Sequence, residues 1–447
     1  MAKLTPKDLP NIPVAPGAWP IIGHLPSMMK NQFSFLLKQE EDLGPLFWVH
    51  SGFGQWSVVV TGKPAHKVMK NKETRSDVMG EDDPVTGYIT ANTVSIHDGA
   101  PHRRIRGSMQ APFTPKGMTA AKIGEVLQQL AEQHISRWKD KQELTILNET
   151  SEFALDIIFR MLGVENLDLP QWRKKYNQFI GPFTIIPIDL PGTPRRKSIK
   201  SVEWMDKQFA KMIERVRETG DKDTMLGAIV HGTDEDGQGL TEEELYANLR
   251  ILGLAGHETT AATVAWMFIH LARDKQLWSE IRDEVMAQEA PPTSPKEMAL
   301  FPKVEALFRE VLRLYPVLCL LTPRRVEEPF EVHGVTLPKD TIVAANLLSL
   351  SRDPEEYPSP ETLDISRWTE RERSPRPSEA VQFGGGPHFC LGYHLAVFEG
   401  VVYTVVATRY LAQAGLRLSH KGDFPTPSYM PLTRPPSKLQ LQFERDE

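Results

Sequence analysis

One loop in this chain joins residue types that seldom sit together: Phe383-Gly384-Gly385-Gly386-Pro387-His388-Phe389-Cys390-Leu391-Gly392. Three consecutive glycines lose much backbone entropy on folding and suit neither a helix nor a strand. They suit a backbone that turns sharply and comes close to a ligand. A cysteine just beyond them, where a helix is predicted to begin, gains from the helix dipole and from free amides, and both favour the metal-ligating thiolate. A single cysteine does not build a zinc or iron–sulfur site, because each needs several protein ligands. One thiolate does suffice for a haem, whose porphyrin brings the other four donors. The second cysteine, Cys319, lies in Val317-Leu318-Cys319-Leu320-Leu321 and reads as a small buried hydrophobe.

A long helix is predicted to carry a second set of polar groups. Thr241-Glu242-Glu243-Glu244 has the form of a capping box, and no proline follows until Pro291. A helix from about Thr241 to Arg273 would span roughly 45–50 Å, enough to cross the molecule. Its middle, Ile251 to Ala262, is apolar and small apart from His257, Glu258, Thr259 and Thr260. Thr259 can bend such a helix by bonding backward; the plainer reading is a threonine facing the core and a glutamate facing solvent. A further helix, Lys303 to Tyr315, stops before Pro316 and sets Glu310 and Arg313 on one face. Alone, that pair would be a surface ion pair of small value. His102 and Arg106, four apart after Pro101, also share a helix face.

Around these helices the chain is mixed. Pro13 to Pro26 reads as an extended entry segment, and the runs Leu46–Val49 and Trp56–Thr61 flank Ser51-Gly52-Phe53-Gly54 as a hairpin. β-like runs follow at Pro329–Leu337 and Thr341–Leu348. Arg352–Glu379 is loop-like, a last helix extends from after Cys390 to about Ala414, and Pro425–Pro436 is a loop before a terminal strand. The pattern predicts a mainly α protein with a smaller β part, in one domain over residues 1–447. The β-richer parts are roughly 40–100 and 320–350, and the helical parts roughly 100–315 and 390–415.

Composition narrows the class. The 447 residues are 40% hydrophobic and 25% charged, as in an ordinary globular enzyme. A net charge of −6 argues against nucleic acid as a partner. The basic runs Arg103-Arg104 with Arg106, and Arg195-Arg196-Lys197, read first as solvated helix faces. Two cysteines make no disulfide framework, which predicts a reducing, cytoplasmic setting. Met1–Asn11 is polar, with Pro6 and Pro10, and reads as neither a signal peptide nor a membrane anchor.

Taken together these motifs resemble the cytochrome P-450 family. Its cysteine pattern is matched at Phe383, Gly384, Gly386, His388, Cys390 and Gly392, and the resemblance covers nearly the entire chain. It implies the cytochrome P-450 fold, with the long central helix lying over haem b (iron protoporphyrin IX) and Cys390 as axial iron ligand. Phe383 would pack near the thiolate within the loop shaped by Gly384 and Gly392. His388, His102, Arg106 and Arg324 would meet the haem propionates, with Arg325 as the alternative to Arg324. Ala255-Gly256 would let the long helix pass close to the haem. Glu258 and Thr259 would be the acid–alcohol pair that delivers protons to dioxygen. Glu310 and Arg313 would join Arg367 in a network that locks the loop leading to the cysteine. Ser351, where many relatives have histidine, and Ser366-Arg367-Trp368, where Glu-Arg-Phe is more usual, depart from the pattern without touching the haem.

The implied activity is monooxygenation: one oxygen atom from dioxygen enters a lipophilic small molecule by hydroxylation or epoxidation. A peroxygenase, or a haem-thiolate isomerase or dehydratase, would be expected to lack the acid–alcohol pair; a haem-binding sensor or carrier is a third alternative. The pocket would be lined by Tyr88–Val94, Phe183–Ile188, Leu252–Thr260, Val317–Thr322 and Tyr429–Leu432. Pro187-Ile188-Asp189-Leu190-Pro191-Gly192-Thr193 is similar to a segment in retinoid- and sterol-metabolising relatives, which favours a terpenoid, retinoid or steroid-like substrate over fatty acids and polyketides. The plainer reading of that segment is a Pro-rich connection between helices. With no residues left over for a fused reductase, electrons would come from a separate protein, such as a ferredoxin or flavodoxin with its reductase, docking near Cys390. Arg103 and Arg104 would face solvent or that partner's acidic surface.

Overall fold

The computed structural model describes residues 4–52, 54–70, 73–80, 83, 87–164, 168–180, 188–370, 380–429 and 432–446. Phe53 of the expected hairpin turn, residues 183–187 and 430–431 of the expected pocket wall, and 371–379 of the expected loop lie outside the described residues.

The first helix, α1 (Leu25–Leu43), stands where the sequence reading has the end of an extended segment and then β-like chain. Pro26 sits in its first turn, where a fixed φ suits a helix start. Asn31 at φ −164°, ψ 93° breaks the helix inside, which interrupts the periodicity and hides it from the sequence. β1 (Leu46–His50) and β2 (Trp56–Val60) then pair antiparallel, with Phe47 opposite Val59, as their aromatic and β-branched runs predict. Short pieces α2 (Ala65–Lys70), β3 (Thr74–Arg75) and α3 (Gly87–Thr90) lead into α4 (Gly99–Met109), which carries His102 and Arg106.

The helical body follows: α5 (Pro115–Ala120), α6 (Ile123–Ile135), β4 (Glu143–Thr145), α7 (Ile146–Met161), α8 (Leu169–Ile180), α9 (Pro194–Thr219) and α10 (Met225–Val230). At its centre runs α11 (Glu242–Arg273), 32 residues long and opened by the capping box of Thr241 and Glu244. This helix is apolar on every side, so it has to be enclosed by other elements. Trp266, Met267, Phe268 and Ile269 are accordingly all buried. After it come α12 (Lys275–Met286) and α13 (Pro302–Leu314).

The second β part begins at β5 (Arg324–Val326), followed by the hairpin β6 (Phe330–Val332) and β7 (Val335–Leu337), then β8 (Ile342–Ala345). The run predicted through Leu348 stops at Ala345, because the Asn346 side chain accepts from the amides of Leu348 and Ser349 and starts α14 (Leu347–Leu350). The expected loop after Arg352 contains a turn of helix, α15 (Ser366–Thr369). The cysteine loop then leads to α16 (Tyr393–Gln413), β9 (Leu416–Ser419), β10 (Ser428–Tyr429), β11 (Thr433–Arg434) and β12 (Gln440–Arg445). β10 and β11 form a small antiparallel hairpin inside the predicted C-terminal loop.

The main sheet has the order β1-β2-β8-β5-β3, with β2 and β8 parallel. It joins chain segments almost 300 residues apart, with Val59 opposite Ala344. β12 pairs with both β4 and β9, which ties the C-terminus to the helical body. Among the described residues one helical stretch, Gly386–Gln413, is long and apolar enough to cross a membrane by composition, and 67% of its apolar window is buried in the protein.

Candidate active site

The cysteine loop is held by its own backbone. The Cys390 amide donates to the Phe383 carbonyl at 2.9 Å, and the Phe389 amide to Gly386 at 3.2 Å. Gly384 and Gly386 adopt φ of +78° and +62°, a region that side chains disfavour. A Cβ on Gly386 would also lie 2.8 Å from the Met69 carbonyl oxygen, so the loop presses against the end of α2. Phe383 sets its ring edge-on against Tyr393, with centroids 4.9 Å apart. The thiol is more protected from ionisation than the sequence reading expects. Burial pushes the Cys390 thiol up, and the Gly392 amide and the Arg106 cation only partly oppose it. The amide and the cation act in the predicted direction, but burial outweighs them in the protein alone. Cys319 is a weaker candidate still: it is 1% exposed, lies 3.4 Å from Thr433 Oγ1, and burial pushes it to about 11.

Basic side chains from three separate parts of the chain converge near that loop. The rings of His102 on α4 and His388 in the loop lie 4.3 Å apart. Arg324 on β5 donates to Thr74 Oγ1 at 2.7 Å, to Ser76 Oγ at 2.5 Å and to Asp98 Oδ1 at 3.2 Å. His388 Nε2 is 3.0 Å from both Asp98 Oδ1 and Ser76 Oγ. Arg325 turns the other way, to Asp77 and Asp340, so of the two neighbours Arg324 is the inward one. Burial, then the electrostatic influence of His388 and Arg106, pushes His102 down to about 4. Arg104, expected at solvent, instead forms an ion pair with the capping-box carboxylate of Glu244, so it is not free to meet a partner.

The set fits haem. Arg106 and Arg324, against the Asp98 carboxylate, leave positive charge for propionates, and the imidazoles of His102 and His388 add hydrogen-bonding groups. His102 Nε2 is buried without a hydrogen-bond partner, a state that calls for a missing group. Ala255 is exposed in the middle of the most enclosed helix, so a space must lie beside it. Cys390 would supply a soft donor for such a group. The residues that would hold the haem are therefore Cys390, His102, Arg106, Arg324 and His388.

On α11, the Thr259 hydroxyl donates back to the Ala255 carbonyl at 2.6 Å, as anticipated. Glu258 is nearly buried, and its Oε1 lies 3.9 Å from Arg434 Nη1 on β11. Its Oε2 has no partner. Burial raises the Glu258 carboxyl above its ordinary value, and the Arg434 cation opposes this. One expectation fails: a Cβ on Gly256 would lie 2.6 Å from Ile158 Cδ1, so Gly256 serves the packing of α11 on α7, and only Ala255 opens to the interior.

Glu310, Arg313 and Arg367 meet as predicted, the first two in full burial and Arg367 at the edge. Arg313 grips the Glu310 carboxylate through two nitrogens at 2.9 and 2.7 Å, and Arg367 Nε reaches it at 3.3 Å. The Asp364 amide and the Trp368 indole donate to the same carboxylate at 3.0 and 2.9 Å. Arg313 also donates to the carbonyls of Ser351, Pro360 and Thr362. Both departures from the usual pattern, Ser351 and Trp368, are thus members of this network. Gln382, just ahead of the cysteine loop, donates to Ser351 Oγ at 2.8 Å and links the two.

Sequence reasoning misses Asp98 and Arg434. Asp98 occupies the N-cap position of α4, the ordinary place for an aspartate, yet makes no cap and turns to Ser76, Arg324 and His388 instead. Burial alone would raise its carboxyl, but the hydrogen bonds from His388 and the Ser76 amide, with the Arg324 cation, outweigh it and hold the group well below the usual range. Nothing local marks Arg434, which meets Glu258 across 176 residues of chain.

Over residues 13–443 the chain matches the family model described as Cytochrome P450. It is 34% identical over 407 residues to Cytochrome P450 BJ-4 of Bradyrhizobium diazoefficiens, a match covering 91% of this chain and 90% of that protein. It is 24% identical over 366 residues to abscisic acid 8'-hydroxylase 4 of Arabidopsis thaliana, covering 80% and 76% of the two. The structure of retinoic acid-bound cyanobacterial CYP120A1 is alike in fold, with a TM-score of 0.82 at 22% identity over 97% of this chain and 99% of that one. Identity of this extent, on a chain whose thiol loop and basic set suit one prosthetic group, means that the chain belongs to the cytochrome P450 family, the haem b-thiolate monooxygenases.

Proposed function

We propose that this monooxygenase oxidises a lipophilic isoprenoid-type molecule, with Glu258 supplying protons and Thr259 positioning them. Thiolate-bound haem supplies the reductive activation of dioxygen; the chain's own residues set position, proton supply and water access. Cys390 is the axial ligand in this reading, and His102, Arg106, Arg324 and His388 bind the propionates. Phe383, Gly384 and Gly392 shape the loop around the thiol. Ala255 leaves room beside α11. Glu310, Arg313 and Arg367 keep the loop in place and take no part in the chemistry.

The observation that carries the relay is the pair of polar groups on an otherwise apolar helix. Thr259 bonds backward along α11, and Glu258 beside it is driven toward neutral pH by burial. A carboxyl titrating nearer to neutral pH exchanges protons more readily at working pH. The test is Thr259→Ala. It should leave haem binding intact and divert most reducing equivalents to peroxide. Full coupling in that variant would refute the relay.

The isoprenoid reading draws on three supports. Leu252, Ala255 and Leu318, on segments expected to line the pocket, are apolar and not fully buried. One relative is named for hydroxylating abscisic acid, and the similar solved structure holds retinoic acid. Against the segment comparison, Thr193 caps α9 through the Arg196 amide, and Pro194 follows in the first turn, so its Thr-Pro end has a structural reason to be there. Binding of isoprenoid acids, read as a spin-state shift in the ferric spectrum, tests the substrate class; a shift with long-chain fatty acids alone would refute it. Electrons come from a separate ferredoxin or flavodoxin with its reductase, and the enzyme works in the cytoplasm.

A further inference from the structure

At about 3.6 residues per turn, Trp266 falls on the side of α11 that carries Ala255 and Thr259, two turns and about 10 Å past the threonine. Its side chain is fully buried, and the indole Nε1 has no hydrogen-bond partner. Tyr315, which follows α13 and leads into the expected pocket wall at Val317, stacks on it. The two ring centroids are 4.2 Å apart and the planes lie 10° from parallel. Phe424 continues the stack toward solvent. It lies 5.9 Å from Trp266 at 6° and 6.2 Å from Tyr315 at 15°, and is 40% exposed. Arg273, in the last turn of α11, sits 5.5 Å from the centre of the Phe424 ring.

Packing alone does not ask for this geometry, because aromatic pairs gain as much from edge-on contact. The other contacts of tryptophan with tryptophan or tyrosine among the described residues take the edge-on form: Trp48 with Trp56 at 86°, Trp138 with Tyr410 at 87° and Trp172 with Trp204 at 70°. Parallel rings at 4.2 Å overlap their π systems, the orbitals from which these two side chains lose an electron. Tryptophan and tyrosine are also far more easily oxidised than phenylalanine. Burial raises the Tyr315 phenol above its ordinary value, so it is protonated in the folded protein and an electron leaves it together with that proton. Trp266 differs: no acceptor meets its Nε1–H, so its electron leaves alone. Tyr315 is only partly buried, which puts the proton-losing partner at the solvent end of the pair.

We propose that Trp266 and Tyr315 form an electron route that returns the haem to its resting ferric state when dioxygen or peroxide has been activated with no substrate to consume the oxidising equivalents. Two such equivalents are stranded per abortive turnover. Trp266 gives up one electron at a time toward the haem, and Tyr315 restores the indole by losing an electron and its phenolic proton. A small one-electron reductant of the ascorbate class, at the protein surface, returns a hydrogen atom to Tyr315. Two rounds bring two electrons, with two protons from solvent, to the haem site. They release one water and oxidise two reductant molecules by one electron each. The route is independent of Glu258 and Thr259 and of the identity of the substrate.

The test mixes substrate-free ferric holoprotein with peracetic acid, for wild type, Tyr315→Phe and Trp266→Phe. Tyr315→Phe removes one hydroxyl and keeps the stacked ring. The first readout is the organic radical trapped by rapid freezing, read by electron paramagnetic resonance with and without ring-deuterated tyrosine. The second is the rate at which the Soret band bleaches, with and without ascorbate. Wild type should give a tyrosyl signal that deuteration narrows, and ascorbate should slow its bleaching several-fold. Tyr315→Phe should replace that signal with one from an indole and lose most of the ascorbate protection. Trp266→Phe should give neither signal and bleach several-fold faster than wild type. A wild type without a tyrosyl radical overturns the route, and so do a radical and an ascorbate effect that persist in Tyr315→Phe, because they belong to another site. Faster bleaching in both variants with the wild-type radical intact also overturns it, since loosened packing alone produces that result. Should Trp266→Phe not retain haem, Tyr315→Phe decides the question by itself.

Discussion

Replacing Glu310 by glutamine should cost more than any other single change near the cysteine loop. The Glu310 carboxylate is fully buried and takes two bonds from Arg313, one from Arg367, one from the Trp368 indole and one from the Asp364 amide. Glutamine keeps one acceptor oxygen but turns an amide nitrogen toward guanidinium donors, and it leaves the buried Arg313 cation without its counter-charge. Breaking a buried pair in this way costs about 3–5 kcal/mol. Trp368→Phe is the internal control. It removes one hydrogen bond to a charged acceptor that keeps four others, a loss at the low end of about 1.5–3 kcal/mol. The assay is denaturant unfolding of the ferric holoprotein, alongside the fraction of purified protein that retains haem. Glu310→Gln should be far less stable than wild type and mostly haem-free, and Trp368→Phe haem-replete and intermediate. A Glu310→Gln protein that keeps its haem and unfolds with wild type would refute the claim that this network holds the loop.

Other expectations follow from single groups. Arg434→Gln removes the cation that opposes burial at Glu258, so the carboxyl should titrate at higher pH than in wild type. The alkaline limb of the pH–turnover profile should move upward, and an unmoved limb would separate Arg434 from the relay. His257 and His270 are each pushed down to about 4 by burial, so the folded protein holds them neutral where the unfolded chain protonates them near pH 6.5. Their contribution is complete above pH 6.5 and is lost as pH falls toward 4, at about 1.4 kcal/mol per pH unit for each histidine. His270→Leu should therefore flatten the acid limb of a stability–pH curve by about one proton; an unchanged slope would mean that His270 is not buried in the neutral form.

The parts of the site legible in the sequence are those written contiguously. Phe383 to Gly392 forms one loop, Glu310 and Arg313 are neighbours on one helix face, and the capping box of Thr241 and Glu244 opens the long helix where it is read. Contacts made by folding were not legible. Arg434 reaches Glu258 from a two-residue strand, and Tyr176 reaches His257 from α8. Asp98 looks like a helix cap, yet it pairs with Arg324 and bonds to His388. Ala255-Gly256 reads as a pair on the haem side, although the neighbour of Gly256 is Ile158, because composition does not set the rotation of a largely apolar helix. Trp368 and Ser351 read as harmless departures, yet both bond within the Glu310 network.

The central claim is that Cys390, and not Cys319, is the residue through which this chain holds its haem. The optical spectrum of the reduced protein with carbon monoxide, on wild type and on Cys390→Ser, tests it most directly. Wild type should show a Soret band at the long-wavelength position of thiolate ligation, and the variant should lose it. A band at the histidine-ligated position in wild type, or a thiolate band that survives Cys390→Ser, would contradict it.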